Sequence, residues 1–576
     1  MPLAEDHSGY FIGSVDSVSA GDRYFYVVDD MHQFPDPASR FQPEGVHGPS
    51  EVVDPSDFPW QDGDWKGRAL QDLIIYELHT GAFTPEGTFQ SIVEKLDYLL
   101  ELGINAIELM PVAQFSGTRN WGYDGVYPFA PQNSYGGPRG LKKLVDACHR
   151  RGLSVVLDVV YNHLGPEGNY LDNFGYYFTS KYRTPWGDAL NFDGPYSDEV
   201  RRYFIDNALY WLTEYHIDAL RVDAVHAIYD FSARHFLHEL ADTVRGLKGA
   251  LNRQVFLIAE SDLNDARVIS PPGMGGYGLD AQWNDDFHHA LHALITNEHS
   301  GYYEDFGKVG HLEKSLREGY VYTGQYSLYR RRSHGNSSKA RPADQFVVFS
   351  QSHDQVGNRV AGDRLSQTLP FEKLKLAAGA VILSPFIPLL FMGEEYGEAA
   401  PFPYFISHSD PGLAEAVREG RRKEFASFGW KGAIPDPQDE KIFFSSKLTF
   451  NLSGQGKALY GFYRELIRLR KEISVLCHPR KEDAETRCFE DEKALSVRRW
   501  RNEDQVFGLY NFGERVFSNT PEIPAGTWEK ILDSSSPGWG GSGSAAPGKI
   551  RPDDRELSLS LAPYSFVLYR MCKEGS

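Results

Sequence analysis

The chain carries only four cysteines in 576 residues, Cys148, Cys477, Cys488 and Cys572, with no Cys-x-x-Cys pair and no regular spacing. That excludes a disulfide framework and a Cys-based metal module, and it fits a reducing compartment. Positive charge is also short, because 59 Lys and Arg face 79 Asp and Glu, a net charge of −20. Such a surface repels a phosphate backbone over most of its area, so nucleic acid is not an expected partner. No Gly-rich turn of the G-x-G-x-x-G or P-loop kind follows an early strand-like run, which removes the usual nucleotide site. The first residues, Met-Pro-Leu-Ala-Glu-Asp-His, offer neither a basic nor an apolar leader, and the last five, Cys-Lys-Glu-Gly-Ser, are not a lipidation or retention signal. A cytoplasmic chain is expected. Long apolar runs are few: 376–393 has the length of a membrane span, but Pro385 and Pro388 divide it and Glu394 and Glu395 follow at once. It reads as a helix beside a buried strand, and no membrane partner is expected.

What is present suits a large globular enzyme. Hydrophobic residues make up 41% and charged ones 24%, ample for a packed core. At roughly 150 residues per domain the length suggests three or four domains, although a barrel can use about 250 or more on one. The 10 Trp, 32 Tyr and 36 Phe supply flat faces that serve a core and also suit stacking on sugar rings or bases.

Short β-rich runs at 73–76, 104–109, 153–158, 217–222, 255–258, 346–349 and 387–391, with a weaker one at 279–283, are mostly continuous rather than alternating. Parallel strands covered on both faces read that way. Helical patterns separate them, at 88–102, 140–151, 197–215 and 231–247 among others. Eight such units predict an α/β fold, a closed (β/α)8 TIM barrel over 65–475. Residues 161–195, after the third strand, are too many for an ordinary βα loop and read as an excursion over the barrel mouth. A small N-terminal β domain with linker is expected over 1–64. A C-terminal β-sandwich over 476–576 is expected from runs at 495–500, 506–511 and 564–569, with 534–548 as a loop within it.

In such a barrel the active site lies at the carboxyl ends of the strands. Four runs end in polar residues there: 153–160 leads into Tyr161, Asn162 and His163, 219–222 into Asp223, 256–259 into Glu260, and 347–352 into His353 and Asp354. Side chains alternate along a strand, so Ala219, Arg221 and Asp223 share the inward face. Arg221 beside Asp223 favours the ionised carboxylate that a nucleophile needs, whereas Glu260, ending a strongly apolar strand, is kept protonated and suited to act as an acid. Two carboxylates in opposed environments are the arrangement of glycoside hydrolysis. Taken singly, each has a plainer reading: a strand-end carboxylate is more often a helix cap or a solvated loop residue, Arg221 an ion-pair partner, Asn162 and His163 turn residues. A metal pair at Asn162 and His163 lacks a His-x-x-x-His or Cys cluster to complete it. The coincidence of charged strand ends in one barrel decides for a site. Tyr123, in a Gly-flanked polar loop, and Trp283 are candidate stacking platforms, each with a core aromatic as the alternative.

The set Asp158 to His163 (Asp-Val-Val-Tyr-Asn-His), Ala219 to Asp223 (Ala-Leu-Arg-Val-Asp), Ile258 to Glu260 (Ile-Ala-Glu) and His353-Asp354 resembles, in order and strand context, the four signature regions of the α-amylase superfamily of glycoside hydrolases. The resemblance implies Asp223 as nucleophile, Glu260 as general acid/base and Asp354 as the carboxylate that stabilises the transition state. It implies that His163, Arg221 and His353 line the sugar subsite at the point of cleavage and that His226 lies towards the aglycone; Tyr123 and Asp124 are further candidates for substrate binding. Segments 35–40, 42–51, 120–125, 223–228, 259–264, 281–289 and 353–359 narrow it, over nearly the whole chain, to hydrolases that free trehalose from the end of a maltooligosyl trehalose. The substrate partner is then an α-glucan oligosaccharide, cleaved with retention, and the excursion and 394–398 shape the pocket for the trehalose end. Glycogen branching enzymes are the nearest alternative, but they carry a second Glu directly after the acid/base, where this chain has Ser261. A non-catalytic glucan-binding relative is a further alternative, and would be expected to have lost one of the three carboxylates. The stretch 9–40 resembles only the later part of a longer β domain. Asn162 matches a calcium-ligand position of some amylases, but the excursion need not supply the other ligands; no cofactor or metal is expected.

Overall fold

The computed structural model describes all residues except 7–8, 185, 428–433, 479, 520, 553–558 and 573–576. Eight parallel strands close on themselves: β1 (Ile75–Leu78), β2 (Ala106–Leu109), β3 (Ser154–Val159), β4 (Ala219–Val222), β5 (Phe256–Ala259), β6 (Ala281–Trp283), β7 (Phe346–Val348) and β8 (Ile387–Phe391). Neighbours in sequence are neighbours in the barrel, and the pairing Leu389 to Ile75 shuts it. Each apolar run in the sequence thus forms a barrel strand, including the weak one at Trp283. Ile75, Ala106, Val156, Ala219, Ile258, Ala281, Val347 and Leu389 fill the axis as one cluster. Leu109, Leu157, Leu220 and Leu257 point outward into the larger core shared with the helices. Burial on both faces, roughly 1.5–3 kcal/mol for each large side chain removed from water, is why these runs show no polar alternation.

Helices form where periodicity placed them, with two differences. The stretch 88–102 breaks at Glu94 and Lys95 into Phe89–Val93 and Leu96–Leu102, the first opened by a Thr88 cap that accepts from Ser91 N. The pattern at 231–247 starts late, as Phe236–Leu251. Asp230 accepts from Ser232 and from Phe236 N and pairs with Arg201, which ties the preceding residues into a loop and leaves Phe231 exposed. The apolar stretch 376–393 resolves into the helix Phe371–Ile382 and β8. No helix among the described residues is long and apolar enough to cross a membrane.

At the carboxyl end of the chain a six-stranded antiparallel sheet, built on Ala494–Arg501, Asp504–Asn511 and Ser565–Met571, faces a ladder of Phe517–Asn519 with Leu559–Leu561. Phe507, Leu509, Trp528, Val567 and Tyr569 fill the space between. Lys375 of a barrel helix, fully buried, donates to the carbonyls of Ser534 and Trp539 and ties this sheet to the barrel. At the other end, 9–28 forms less sheet than its alternation predicts. Ladders of two or three residues occur (Ala4–Glu5 with Phe11–Ile12, Arg23–Tyr24 with Ser50–Glu51, Tyr26–Val28 with His32–Phe34). Such short pairs cannot bury a face, and Phe11, Ile12, Val27 and Met31 stay exposed.

Candidate active site

The carboxyl ends of β3, β4, β5 and β7 bring the expected residues together around one side chain, Arg221 on β4, which is wholly buried. Its Nη1 donates to Asp158 Oδ2 at 2.8 Å and to Asp223 Oδ1 at 2.7 Å. Its Nη2 stands 3.8 Å from Glu260 and 3.9 Å from Asp354. The planar two-nitrogen fork is what lets one cation face four carboxylates. Beneath it the guanidinium lies 4.4 Å over the ring of Trp283. Trp283 is 1% exposed, so it is the floor under Arg221 and not a platform open to a sugar.

Backbone geometry aims the second carboxylate. Ala224, directly after Asp223, adopts a left-handed conformation with φ 39°, strained for a residue with a Cβ. This turn points the Ala224 N–H at Glu260 Oε2, 2.7 Å away. Asn162 Nδ2 donates to the carbonyl of Asp223 at 3.0 Å and to Asp223 Oδ2 at 2.8 Å, so both carboxylate oxygens of Asp223 are held. On the facing side Gly122 takes φ 108°, and a Cβ there would lie 2.2 Å from the carbonyl oxygen of Pro111. Only glycine permits the turn that carries Tyr123 inward, where its hydroxyl meets Asp158 Oδ2 and His353 Nε2, each at 2.6 Å.

The two central carboxyls titrate in opposite directions. Burial pushes Asp223 up, but Arg221, His163 and the Asn162 hydrogen bond outweigh it and hold the group below the usual carboxylate value. Burial, with Asp223 and Asp354 nearby, pushes Glu260 up against Arg221 and His226, and it settles at about 6. One group is therefore ionised and the other carries a proton in mildly acidic solution, the division of labour that two-carboxylate glycoside chemistry requires. Burial lowers the His163 imidazole, with Asp223, Asp124 and the bond to the Tyr123 carbonyl working against it.

The remaining expected residues sit on the same rim. His163 is buried between Asn162 Oδ1 and the carbonyl of Tyr123. Asp124 is buried too, and its Oδ2 accepts from Asn120 Nδ2 at 2.7 Å and from the Tyr404 hydroxyl at 3.1 Å. His226 stands at the edge, 3.7 Å from Asp262. The segment 394–398 does not reach the mouth. Glu394 and Glu395 are buried behind β8, where Glu395 accepts from the hydroxyls of Tyr76 and Tyr98, and Glu394 from the side-chain amide of Gln351 and the hydroxyl of Tyr463.

Four further residues at or below the rim carry no clear mark in the sequence. The excursion 161–195 folds into a hairpin, Phe178–Thr184 with Gly187–Leu190, and Trp186 beside it stacks on His163 at 3.8 Å and 8°. Asp285 opens the helix after β6, in the field of Glu260, Asp262 and Asp354, and burial followed by these charges keeps its carboxyl well above the usual range. Glu77 and Glu108 lie inside the barrel below the rim. Trp186 alone had a cue, a Trp inside an over-long loop. Among the described residues no group of three His, Cys, Asp or Glu side chains is arranged to hold a metal ion.

A closed eight-stranded barrel whose rim holds an Arg-paired Asp, a Glu raised by burial and a second Asp defines the class as glycoside hydrolase of the α-amylase type. Comparison agrees, since residues 52–186 match the model of the alpha amylase catalytic domain. The chain is 51% identical over 476 residues to the malto-oligosyltrehalose trehalohydrolase of Saccharolobus solfataricus, covering 83% of this chain and 82% of that protein, and it belongs to the malto-oligosyltrehalose trehalohydrolase family. A solved structure from Salmonella typhimurium, described as a candidate alpha amylase, superposes with a TM-score of 0.88 at 40% identity, over 99% of this chain and 94% of that one. The 1,4-alpha-glucan branching enzyme GlgB of Pseudoalteromonas atlantica is more distant, 29% identical over 69% of this chain and 57% of its own length.

Proposed function

We propose that the chain hydrolyses the α-1,4 bond next to the terminal trehalose of a maltooligosyl trehalose, releasing trehalose and a maltooligosaccharide. The observation that carries the chemistry is the asymmetry of two carboxyls around Arg221: Asp223 is hydrogen-bonded to the guanidinium and held low, while Glu260 stands 3.8 Å from it and is raised by burial to about 6. Asp223 attacks the anomeric carbon while Glu260 gives its proton to the departing glycosidic oxygen. Water then enters, Glu260 takes its proton, and the glycosyl bond to Asp223 breaks with net retention. Asp354, its side chain 37% exposed at the mouth, stabilises the positive charge that builds on the ring. Tyr123, Asp124, His163, Arg221 and His353 form the wall of the cleaved subsite, and Trp186 extends it outward from His163. His226 faces the leaving sugar. The trehalose specificity rests on family membership, and Ser261 in place of a second Glu supports hydrolysis over branching. The four unpaired cysteines support a cytoplasmic setting, with trehalose made from glucan there.

The test is to incubate the protein with maltotriosyl trehalose and, separately, with maltopentaose, and to follow products by chromatography and proton NMR. Free trehalose and α-maltotriose as the first anomer are expected, with maltopentaose cut far more slowly. Equal cleavage of both substrates, first release of the β anomer, or new branch points on long glucan would each refute the proposal.

A further inference from the structure

The barrel interior holds two carboxylates, in the middle of apolar strands, that the reaction scheme above does not use. Glu77 on β1 and Glu108 on β2 are cross-strand neighbours, each 1% exposed. Their surroundings differ. Glu77 accepts twice from one residue, His353: Oε2 from its backbone N–H at 3.0 Å, and Oε1 facing its ring Nδ1. Glu108 has no partner on either oxygen, and burial followed by repulsion from Glu77 pushes its pKa well above the carboxylate range.

Hydrogen-bond accounting fixes where the protons of His353 sit. Asp158 Oδ2 already accepts from Arg221 at 2.8 Å, so in its 2.6 Å contact with the Tyr123 hydroxyl it accepts again, and the single hydroxyl hydrogen is used there. The 2.6 Å contact between that hydroxyl and His353 Nε2 then needs its hydrogen on the nitrogen. Nδ1 faces a carboxylate oxygen of Glu77 and is a donor as well. A ring that donates from both nitrogens is an imidazolium.

We propose that Glu77 is a positioning residue of the reaction: by accepting from both the backbone and the ring of His353 it keeps that ring doubly donating beside Asp354, and through Tyr123, Asp158 and Arg221 it orients the nucleophile Asp223. The proposal rests on the reading of Asp223 and His353 given under Proposed function. A continuous chain of contacts runs Glu77, His353, Tyr123, Asp158, Arg221, Asp223, every link but the first ring contact between 2.6 and 2.8 Å. The titratable and charged groups around His353 are Glu77 and His79 from β1 and the turn after it, Glu108 from β2, Tyr123 from the loop beyond, Asp158 from β3, Arg221 from β4, and Asp354 beside it. Burial alone would lower the imidazole, but Asp354 and Glu77 reverse this and raise it to about 9. Glu108, carrying its own proton, leaves Glu77 as the acceptor on that side.

The Glu77→Gln variant keeps the shape but offers one oxygen to two N–H donors. The ratio of variant to wild-type kcat/KM is expected to be flat below about pH 6 and to fall about thirty-fold by pH 8, the loss that follows when an imidazole with the ordinary pKa of about 6.5 sheds its proton. The Glu260 limb is common to both proteins and cancels in the ratio. Glu108→Gln, replacing a neutral acid with a neutral amide, is expected to leave the ratio flat. A pH-independent ratio for Glu77→Gln, or a falling one for Glu108→Gln, overturns the proposal. A titration of 13C-labelled histidine rings in the wild-type enzyme, with the His353 signal assigned by its loss in His353→Gln, needs no Glu77 variant. A midpoint near pH 9 is expected, and one near 6.5 overturns the assignment. Should the underlying site reading be wrong, Asp223→Asn would keep its turnover whatever His353 does. Should only the positioning role be wrong, Asp223→Asn would be inactive and the Glu77→Gln ratio flat.

Discussion

Replacing Arg221 by Lys keeps one positive charge and removes the fork that spreads it. In the native site Nη1 makes two charge-assisted bonds, to Asp158 and Asp223, while Nη2 faces Glu260 at 3.8 Å and Asp354 at 3.9 Å. A single ammonium on a shorter stem can hold one of the two pairs. If it stays with Asp158 and Asp223, Glu260 and Asp354 lose a cation at a separation where two unit charges interact by about 4 kcal/mol at an effective dielectric of 20, an upper bound for the shift. Glu260, now at about 6, therefore titrates higher by one to three units on the order-of-magnitude scale of about 1.4 kcal/mol per unit. Weakening of the Asp223 bond, which a single ammonium must now share with Asp158, costs up to roughly 1.5–3 kcal/mol, about ten- to a hundred-fold in rate. Initial rates of trehalose release between pH 4 and pH 9 read both effects. The variant is expected to be slower at its optimum and to hold its activity to higher pH than the wild type. Slower turnover with both limbs of the profile unmoved would mean that Arg221 only supports the fold, and the electrostatic account of Glu260 would be wrong.

Other consequences can be checked separately. Trp186→Ala removes the ring stacked on His163 and is expected to raise KM by the worth of an aromatic pair, about 0.5–1.5 kcal/mol, with kcat nearly unchanged; an equal loss in kcat would place Trp186 in the chemical step instead. At the opposite end of the barrel, His149 is buried between Asp62 at 2.7 Å and Asp218 at 3.0 Å, its own pKa raised and that of Asp62 lowered. His149 therefore stabilises below its unfolded value near 6.5 and loses this as pH rises through its higher folded value, while Asp62 loses its share as pH falls through its depressed one. Urea unfolding of His149→Gln should show a deficit of about 3–5 kcal/mol near pH 6 that narrows at high pH, and a pH-independent deficit would contradict the pairing. Glu394, pushed by burial to about 8, has a folded pKa above its unfolded one, so its contribution is full in acid and is lost as pH rises through about 8. Glu394→Gln should consequently gain melting temperature relative to wild type at pH 9 compared with pH 6, and a difference that does not change with pH would mean the carboxyl is ionised throughout.

The barrel was legible because its strands are buried on both faces, which writes each as a short unbroken apolar run; even the three-residue β6 left a trace at 279–283. The rim was legible for the related reason that Asp223, Glu260 and His353-Asp354 interrupt or end such runs. Glu77 and Glu108 were not, because a lone carboxylate inside an apolar run also fits a strand with one wet face. Only closure of the barrel shows that their inward neighbours Ile75 and Ala106 line the axis and that these carboxylates do too. Trp283 stays ambiguous between core and cleft in the sequence because its depth below Arg221 depends on the stagger of β6 against β5, which no local pattern encodes. The alternation at 9–28 overstated the N-terminal sheet, since alternation signals a strand only where a partner and a core lie beneath it. Trp186 over His163 joins two stretches through a hairpin whose register is set in three dimensions.

The most direct test of the account is to trap the covalent intermediate. A 5-fluoro-α-glucosyl fluoride slows the second half-reaction, and mass spectrometry of the digested protein then locates the attached sugar. The account predicts a glycosyl ester on the peptide carrying Asp223, gathered more readily in Glu260→Gln once a leaving group that needs no acid is supplied. A sugar on Asp354 or Glu260, or steady turnover with no adduct and an inverted product, would contradict the assignment of Asp223 as nucleophile.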